Sequence, residues 1–98
     1  MATGTISKSV PIKRIIKNLS FYNKAVCSAN GYIDDSISIS LTSSELSNAI
    51  AVAQDMSCCS ASVESITTTR MTVRLFNLHA YDEMAGILKA KYSLFITG

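Results

Sequence analysis

Apolar and polar residues alternate over two stretches of the chain. Residues 33–41 read IDDSISISL, and residues 70–76 read RMTVRLF. Because successive side chains of a β-strand point to opposite faces, a period of two predicts a half-buried strand. In the first stretch one face carries Asp34 and three serines, and the other carries Ile33, Ile37, Ile39 and Leu41. We therefore expect strands over 33–41 and 70–79.

Three further segments predict strands with less regular faces. The segment 15–22 reads IIKNLSFY, and a single strand would place Ile15, Lys17, Leu19 and Phe21 on one face. A short strand is expected over 61–66, with Val63 and Ile66 as apolar anchors. The chain closes on a predicted strand with a mixed face and an apolar face, the latter formed by Leu88, Ala90, Tyr92, Leu94 and Ile96.

The segment 42–56 supports two interpretations. Thr42 and Glu45 have the spacing of a helix capping box, and Leu46 and Ile50 have helical spacing. The apolar residues of 49–56 also alternate with alanines, as in a strand. We favour a loop or a single helical turn near 43–48 followed by a strand over 49–55. A helix across 43–54 is the alternative, because short apolar runs discriminate poorly between the two.

Turn signals separate these segments at intervals of roughly ten residues, as in small β-sandwiches and barrels. SANG at 28–31 predicts one turn, and Asp82, Glu83 and Gly86 mark a later connection. We therefore expect an all-β fold, a small antiparallel β-sandwich or barrel-like domain of five to seven strands. The expected fold can include one short helix near 43–54. Residues 1–11 are expected to form a flexible or partner-bound arm, and residues 12–98 a single β domain.

Charge is scarce and unevenly placed. Charged residues make up 16% of the chain, against about 25% in typical domains, so part of the surface is expected to be covered by another subunit. The first third of the chain is basic throughout, with Lys8, Lys13, Arg14, Lys17 and Lys24 preceding the first acid, Asp34. These cations predict either protection of a sheet edge or, as the alternative function, contacts to nucleic-acid phosphates.

No set of residues has the pattern of a catalytic, metal or cofactor site. The single histidine, His79, lacks a Gly-x-Ser-x-Gly partner motif, and the four glycines are scattered. The chain has three cysteines, Cys27, Cys58 and Cys59, and an odd number cannot all form disulfides within one chain. We therefore expect the cysteines to be small buried residues of a protein in a reducing compartment. Neither a secretory signal nor a membrane-spanning run is recognisable. We expect a non-enzyme with no cofactor, made in a cytoplasm.

Four stretches together carry a family resemblance: MATGTISK, GYIDDSISISLTSSELSNAIAVAQDM (31–56), RMTVRLFNLHA and ILKAKYSLFIT. They resemble the small β-rich terminal domains of bacteriophage tail-fibre and related virion structural proteins, over about residues 12–97. The chain departs from that pattern in having no Trp and a cysteine-rich SCCSAS segment.

The resemblance implies a non-catalytic virion structural protein of tail-fibre, baseplate or capsid-decoration type. Such a protein would be made in the cytoplasm of the bacterial host and incorporated into the virion. The implied partners are further copies of the chain, with a homotrimer favoured, other virion proteins and a host-surface glycan. No membrane is implied as a partner. Because homo-oligomers pack apolar faces about a symmetry axis, we expect the oligomer interface at Ile15, Leu19, Phe21, Tyr92, Leu94 and Phe95.

Overall fold

The computed structural model of the protein describes residues 11–98. This part of the chain forms six β-strands and one short helix. In chain order they are β1 (Ile12–Tyr22), β2 (Tyr32–Ser38), α1 (Ser43–Ser47), β3 (Ala49–Ser57), β4 (Cys59–Ile66), β5 (Arg70–Asn77) and β6 (Lys89–Thr97). The predicted all-β class and number of strands are confirmed.

The strands form two antiparallel three-stranded sheets. Sheet 1 has the order β1-β6-β3, and sheet 2 has the order β2-β5-β4. The central strands β5 and β6 carry the most regular alternation, and their inward side chains meet in one hydrophobic core. The buried residues of these two strands are Met71, Val73, Leu75, Ala90, Tyr92, Leu94 and Ile96. The apolar face predicted for the closing segment is thus confirmed.

Helix α1 is the single turn that the capping box predicts. The Oγ1 atom of Thr42 accepts a hydrogen bond from the backbone N–H of Glu45 at 3.0 Å, and Glu45 Oε1 accepts one from the N–H of Thr42 at 2.9 Å. Ala49–Ser57 then pair with β6 and complete sheet 1. The alternative of a helix across 43–54 is wrong, because residues 49–57 pair with β6 as a strand despite the helical spacing of their apolar residues.

Three irregularities interrupt sheet 1 on either side of β6, the first of them between Ile12 and Arg14. The register of β1 shifts between Ile16 and Leu19, where Asn18 adopts a φ of 60°, and the register of β3 shifts between Ala53 and Asp55. Because an inserted residue reverses the alternation of faces beyond it, Ile15 points outward beside Phe95. Leu19 points inward beside Tyr92. The prediction that Ile15 and Leu19 share a face is therefore wrong.

Strand β2 ends three residues earlier than predicted and buries an acid. The backbone N–H groups of Ile39 and Leu41 turn instead to the carbonyls of Thr69 and Thr68 in the β4–β5 turn. Asp35 is buried on the same face as Ile33. Its carboxylate accepts a hydrogen bond from the N–H of Tyr22 at 3.0 Å and forms an ion pair with Lys24. These contacts compensate the burial and join β2 to the end of β1.

The chain passes from sheet 1 to sheet 2 at a sharp corner between β3 and β4. Cys58 forms this corner with a φ of 63°, and its side chain is exposed. The expectation of a buried cysteine is therefore wrong for Cys58, since the left-handed corner turns its side chain outward. Cys27 is buried as expected, and burial raises the pKa of its thiol.

Candidate interaction surface

The outer face of sheet 2 is polar, and its side chains bind one another. Arg74 lies at the centre of this face, with Nε 2.8 Å from Asp34 Oδ1 and Nη2 3.2 Å from Asp34 Oδ2. The guanidinium also lies 4.1 Å from the ring centroid of Tyr32. One row along, the hydroxyls of Ser36 and Thr72 are 2.7 Å apart. This network leaves a face suited to water.

The Arg74–Asp34 pair makes folding depend on pH. Hydrogen bonds from Arg74 hold the pKa of Asp34 below its ordinary value of 3.8. A carboxyl with a lowered pKa in the folded state stabilises the fold above its unfolded pKa, and this contribution disappears as the pH falls through the folded value. We expect Asp34→Asn to lower the free energy of unfolding at pH 7 by less than about 1 kcal/mol, because the pair is solvent-exposed.

Urea unfolding of both proteins at pH 7 and below pH 3.8 checks this expectation. The difference between Asp34→Asn and the unchanged protein should shrink towards zero at the lower pH. Glu45 also has a lowered pKa, chiefly through the hydrogen bond from the backbone of Thr42, but it titrates equally in both proteins and cancels in the comparison. An unchanged difference at low pH would show that the Asp34 charge does not stabilise the fold.

One half of the outer face of sheet 1 is apolar. The register places Ile15, Phe95 and Ile50 side by side across β1, β6 and β3. Together with Ile12 and Val52 they form what we call the apolar half. Its four aliphatic members are 42–56% exposed. Within residues 11–98 the outer face of sheet 2 carries one aromatic pair, Tyr32 beside Phe76, among polar side chains and no aliphatic cluster, so the two outer faces differ in chemistry.

The other half of the same face is polar. Register places two rows across the sheet, Tyr22–Lys89–Ser57 and Ser20–Lys91–Asp55, which we call the polar half. These rows line a shallow cavity of about 380 Å³. The half offers ammonium, carboxylate and hydroxyl groups for hydrogen bonds beside the apolar half, and polar groups next to an apolar patch are typical of protein interfaces.

A single side chain fixes the boundary between the two halves. Gln54 lies in the β3 irregularity and extends across β6. Its Oε1 accepts hydrogen bonds from the Ser93 hydroxyl at 2.7 Å and from the backbone N–H of Asn18 at 3.0 Å. The register shifts at Ile16–Leu19 and at Ala53–Asp55 are thus tied together by one amide, which stiffens the face at the point where its chemistry changes.

Two buried asparagines order the loops at one end of the sandwich, and no sequence pattern had pointed to them. The Nδ2 of Asn23 donates to the carbonyls of Ala25 and Met84, both at 2.9 Å. Its Oδ1 accepts from the N–H groups of Gly86 and Leu88. Asn77 similarly bonds to backbone groups of both loops; they belong to Cys27, Ser28, His79 and Tyr81.

The ordered loops expose several apolar side chains of their own. The connections 23–31 and 78–88 pair through reciprocal backbone hydrogen bonds of 2.9 Å between Cys27 and Glu83. The exposed apolar residues on these loops are Val26, Leu78, Tyr81, Met84 and Ile87. This loop end is a second exposed apolar region, separate in sequence from the apolar half of sheet 1.

His79 takes part in this loop architecture. Its Nδ1 lies 2.8 Å from Glu83 Oε2, and its ring stacks on Tyr81 with centroids 4.9 Å apart. It is partly buried. Within residues 11–98 no group of three or more His, Cys, Asp or Glu side chains could hold a metal ion.

The predicted interface residues separate into two groups. Ile15 and Phe95 lie on the outer face of sheet 1, in the apolar half. Phe21, Tyr92 and Leu94 are buried in the core of the subunit itself, and Leu19 packs against that core. The prediction is corrected for these four residues, because sheet 2 covers the inner face on which they lie.

The basic residues of the first third are dispersed. Arg14 Nη1 lies 2.9 Å from Glu45 Oε2. Lys24 pairs with Asp35, and its ammonium lies 4.1 Å from the ring centroid of Tyr22. Lys13 and Lys17 are exposed on β1, and Lys8 lies outside the described residues, as does nearly all of the predicted arm 1–11. The described cations thus do not form one phosphate-binding stripe.

No family model, curated protein or solved structure matches this chain. Within the described part of the chain, no helix has the length and apolar character needed to cross a membrane. The class that the fold defines is a small all-β sandwich.

Proposed function

We propose that this protein is a non-catalytic structural module of a bacteriophage virion, of tail-fibre, baseplate or capsid-decoration type. It acts by packing the outer face of sheet 1 against other protein chains, including copies of itself. The observation that supports the proposal is the contrast between the two outer faces. Sheet 2 satisfies its polar groups internally through Arg74, which also lies against the ring of the exposed Tyr32, whereas sheet 1 leaves the aliphatic side chains of Ile15, Ile50 and Val52 about half exposed.

The chemistry of sheet 1 suits association with protein. A contiguous exposed apolar cluster rimmed by polar residues marks an interaction site on a soluble domain. The apolar half supplies such a cluster, and the rows Tyr22–Lys89–Ser57 and Ser20–Lys91–Asp55 supply polar neighbours on the same surface. Strands on both sides of β6 hold these side chains, so little conformational freedom would be lost on binding.

The nucleic-acid alternative gains less support from the geometry. Binding to phosphates depends on free cations gathered along one surface. Arg14 and Lys24 are engaged with Glu45 and Asp35, at opposite ends of β1. The proposal therefore rests on protein contacts.

Sedimentation velocity over a range of protein concentrations tests the proposal through Ile15→Lys. A lysine at this position would place a charge within the apolar cluster, and an unpaired charge buried at an interface is costly. We expect the unchanged protein to form oligomers at micromolar concentration. The variant should form smaller species than the unchanged protein at the same concentrations, with its β-sheet circular dichroism preserved because Ile15 is 42% exposed.

The matched control is Ser60→Lys, which adds the same charge to an exposed edge position on the outer face of sheet 2. This variant should associate as the unchanged protein does. A protein that stays monomeric at every concentration, or that associates equally well with Lys at position 15, would contradict the self-association on which the proposal depends.

A further inference from the structure

Within residues 11–98 the two sheets have four edge strands, and three of them carry charges that oppose pairing with a second chain. Charged side chains on an edge strand prevent strand-to-strand association, and natural sheets use them for this purpose. Strand β4 has Glu64, whose carboxylate extends back to the Ser62 hydroxyl at 3.0 Å. The charged residues of the other two strands are Lys13, Arg14 and Lys17 on β1, and Asp34 and Asp35 on β2.

The first part of β3 lacks this protection. Residues 49–53 read Ala-Ile-Ala-Val-Ala and pair in regular register with β6 on one side. Helix α1 does not lie along their other side, because the ion pair between Glu45 and Arg14 draws the helix toward β1 across the end of sheet 1. An unprotected, regular and apolar edge is a template for another strand.

We propose that a second copy of this chain pairs with this edge, β3 against β3, antiparallel and about a twofold axis at Ala51. The position of the axis follows from the limits of the regular segment. Asn48 caps α1 on one side, and the register shift between Ala53 and Asp55 ends regular pairing on the other. Only an axis at Ala51 lets all five residues pair with their counterparts.

This pairing joins the two apolar halves into one surface. Directly opposite residues of an antiparallel pair share a face, so Ile50 of each subunit lies beside the partner's Val52. Sheet 1 becomes a six-stranded sheet on which the row Ile15–Phe95–Ile50 continues into the second subunit. The corresponding pairing of β1 would bring three cations against three, which like-charge repulsion disfavours. The inference deepens the proposed function and shares with it the requirement for self-association.

Disulfide trapping tests the register. The engineered cysteine is placed in a Cys58→Ser background, because Cys58 is an exposed native thiol. With the axis at Ala51, residue 51 of each subunit faces its own counterpart at a Cα separation of about 5 Å, within the range that a disulfide spans. Ala51→Cys should therefore give a cross-linked dimer as the main product of mild oxidation.

Ala53→Cys in the same background is the matched control. Its two copies would lie about 13 Å apart along the strands, at roughly 3.4 Å per residue, too far for a disulfide. It should remain uncross-linked alone but should cross-link when mixed with Ala49→Cys, because residues 49 and 53 face each other across the axis. Equal cross-linking of Ala53→Cys alone, or no cross-linking of Ala51→Cys, would overturn the proposed pairing.

Hydrogen exchange can be measured on the unmodified protein, so its result does not depend on the effect of any substitution. Backbone amides of residues 49–53 that point away from β6 should exchange more slowly at high protein concentration than at low concentration. Exchange that is independent of concentration overturns the edge pairing.

Loss of association in Ile15→Lys, combined with absence of cross-linking at position 51, would retain the proposed function and reject only the edge pairing. A monomer at all concentrations would reject both.

Discussion

Replacing Asn23 with alanine should lower the free energy of unfolding by about 3 kcal/mol, because each buried group left unpaired costs about 1–3 kcal/mol and entering water offsets part of the loss. The Asn23 side chain is fully buried and satisfies four backbone groups. Two of these, the N–H groups of Gly86 and Leu88, lie in the connection that leads into β6. Its removal should therefore also loosen that connection.

Urea denaturation gives the loss of stability, and amide exchange at Leu88, whose N–H donates to the Asn23 side chain, locates it. The matched control is Val26→Ala in the same loop, whose side chain is 58% exposed. A surface truncation of this kind usually changes stability by no more than about 0.5 kcal/mol. If Asn23→Ala were as stable as Val26→Ala, the amide network would not be what holds the two loops together.

Replacing Leu94 with alanine should lower the free energy of unfolding by about 2–5 kcal/mol, the usual range for a buried leucine. Leu94 is fully buried at the centre of β6, which pairs with both β1 and β3. The cavity would open in the middle of a thin core, where backbone pairing on both sides prevents the strands from closing over it. Thermal and urea unfolding both measure the effect.

Leu78→Ala is the control for this core truncation. It removes the same atoms from a side chain that is 65% exposed, so the comparison isolates burial from the change of residue type. We expect a small effect for Leu78 and a large one for Leu94. Equal effects would mean that the core does not lie between the two sheets as described.

The sequence predicts the architecture wherever a strand has one apolar face. The alternation in 70–76 and 88–96 correctly identifies the inward faces of β5 and β6, because these central strands have a strand on each side and no irregularity. The capping box at Thr42 likewise predicts α1, since its two hydrogen bonds involve only nearby residues. Local chemistry and a period of two are sufficient for these elements.

The interaction surface could be predicted only in part. An inserted residue at Asn18 exchanges the faces of β1, and residue alternation alone cannot locate such an irregularity. The sequence therefore groups Ile15 with Leu19 and Phe21, although only Ile15 points outward. The burial of Asp35 and of Asn23 also depends on partners distant in the chain, such as Met84, which no local pattern reveals.

The central claim is that the outer face of sheet 1 is the surface by which this protein binds other chains. Amide chemical shifts recorded by NMR during serial dilution test it most directly. We predict that the shifts that change with concentration belong to β1, β3 and β6 around Ile15, Ile50 and Phe95, while those around Arg74 on sheet 2 stay constant. Changes centred on sheet 2, or no change across the dilution, would contradict the claim.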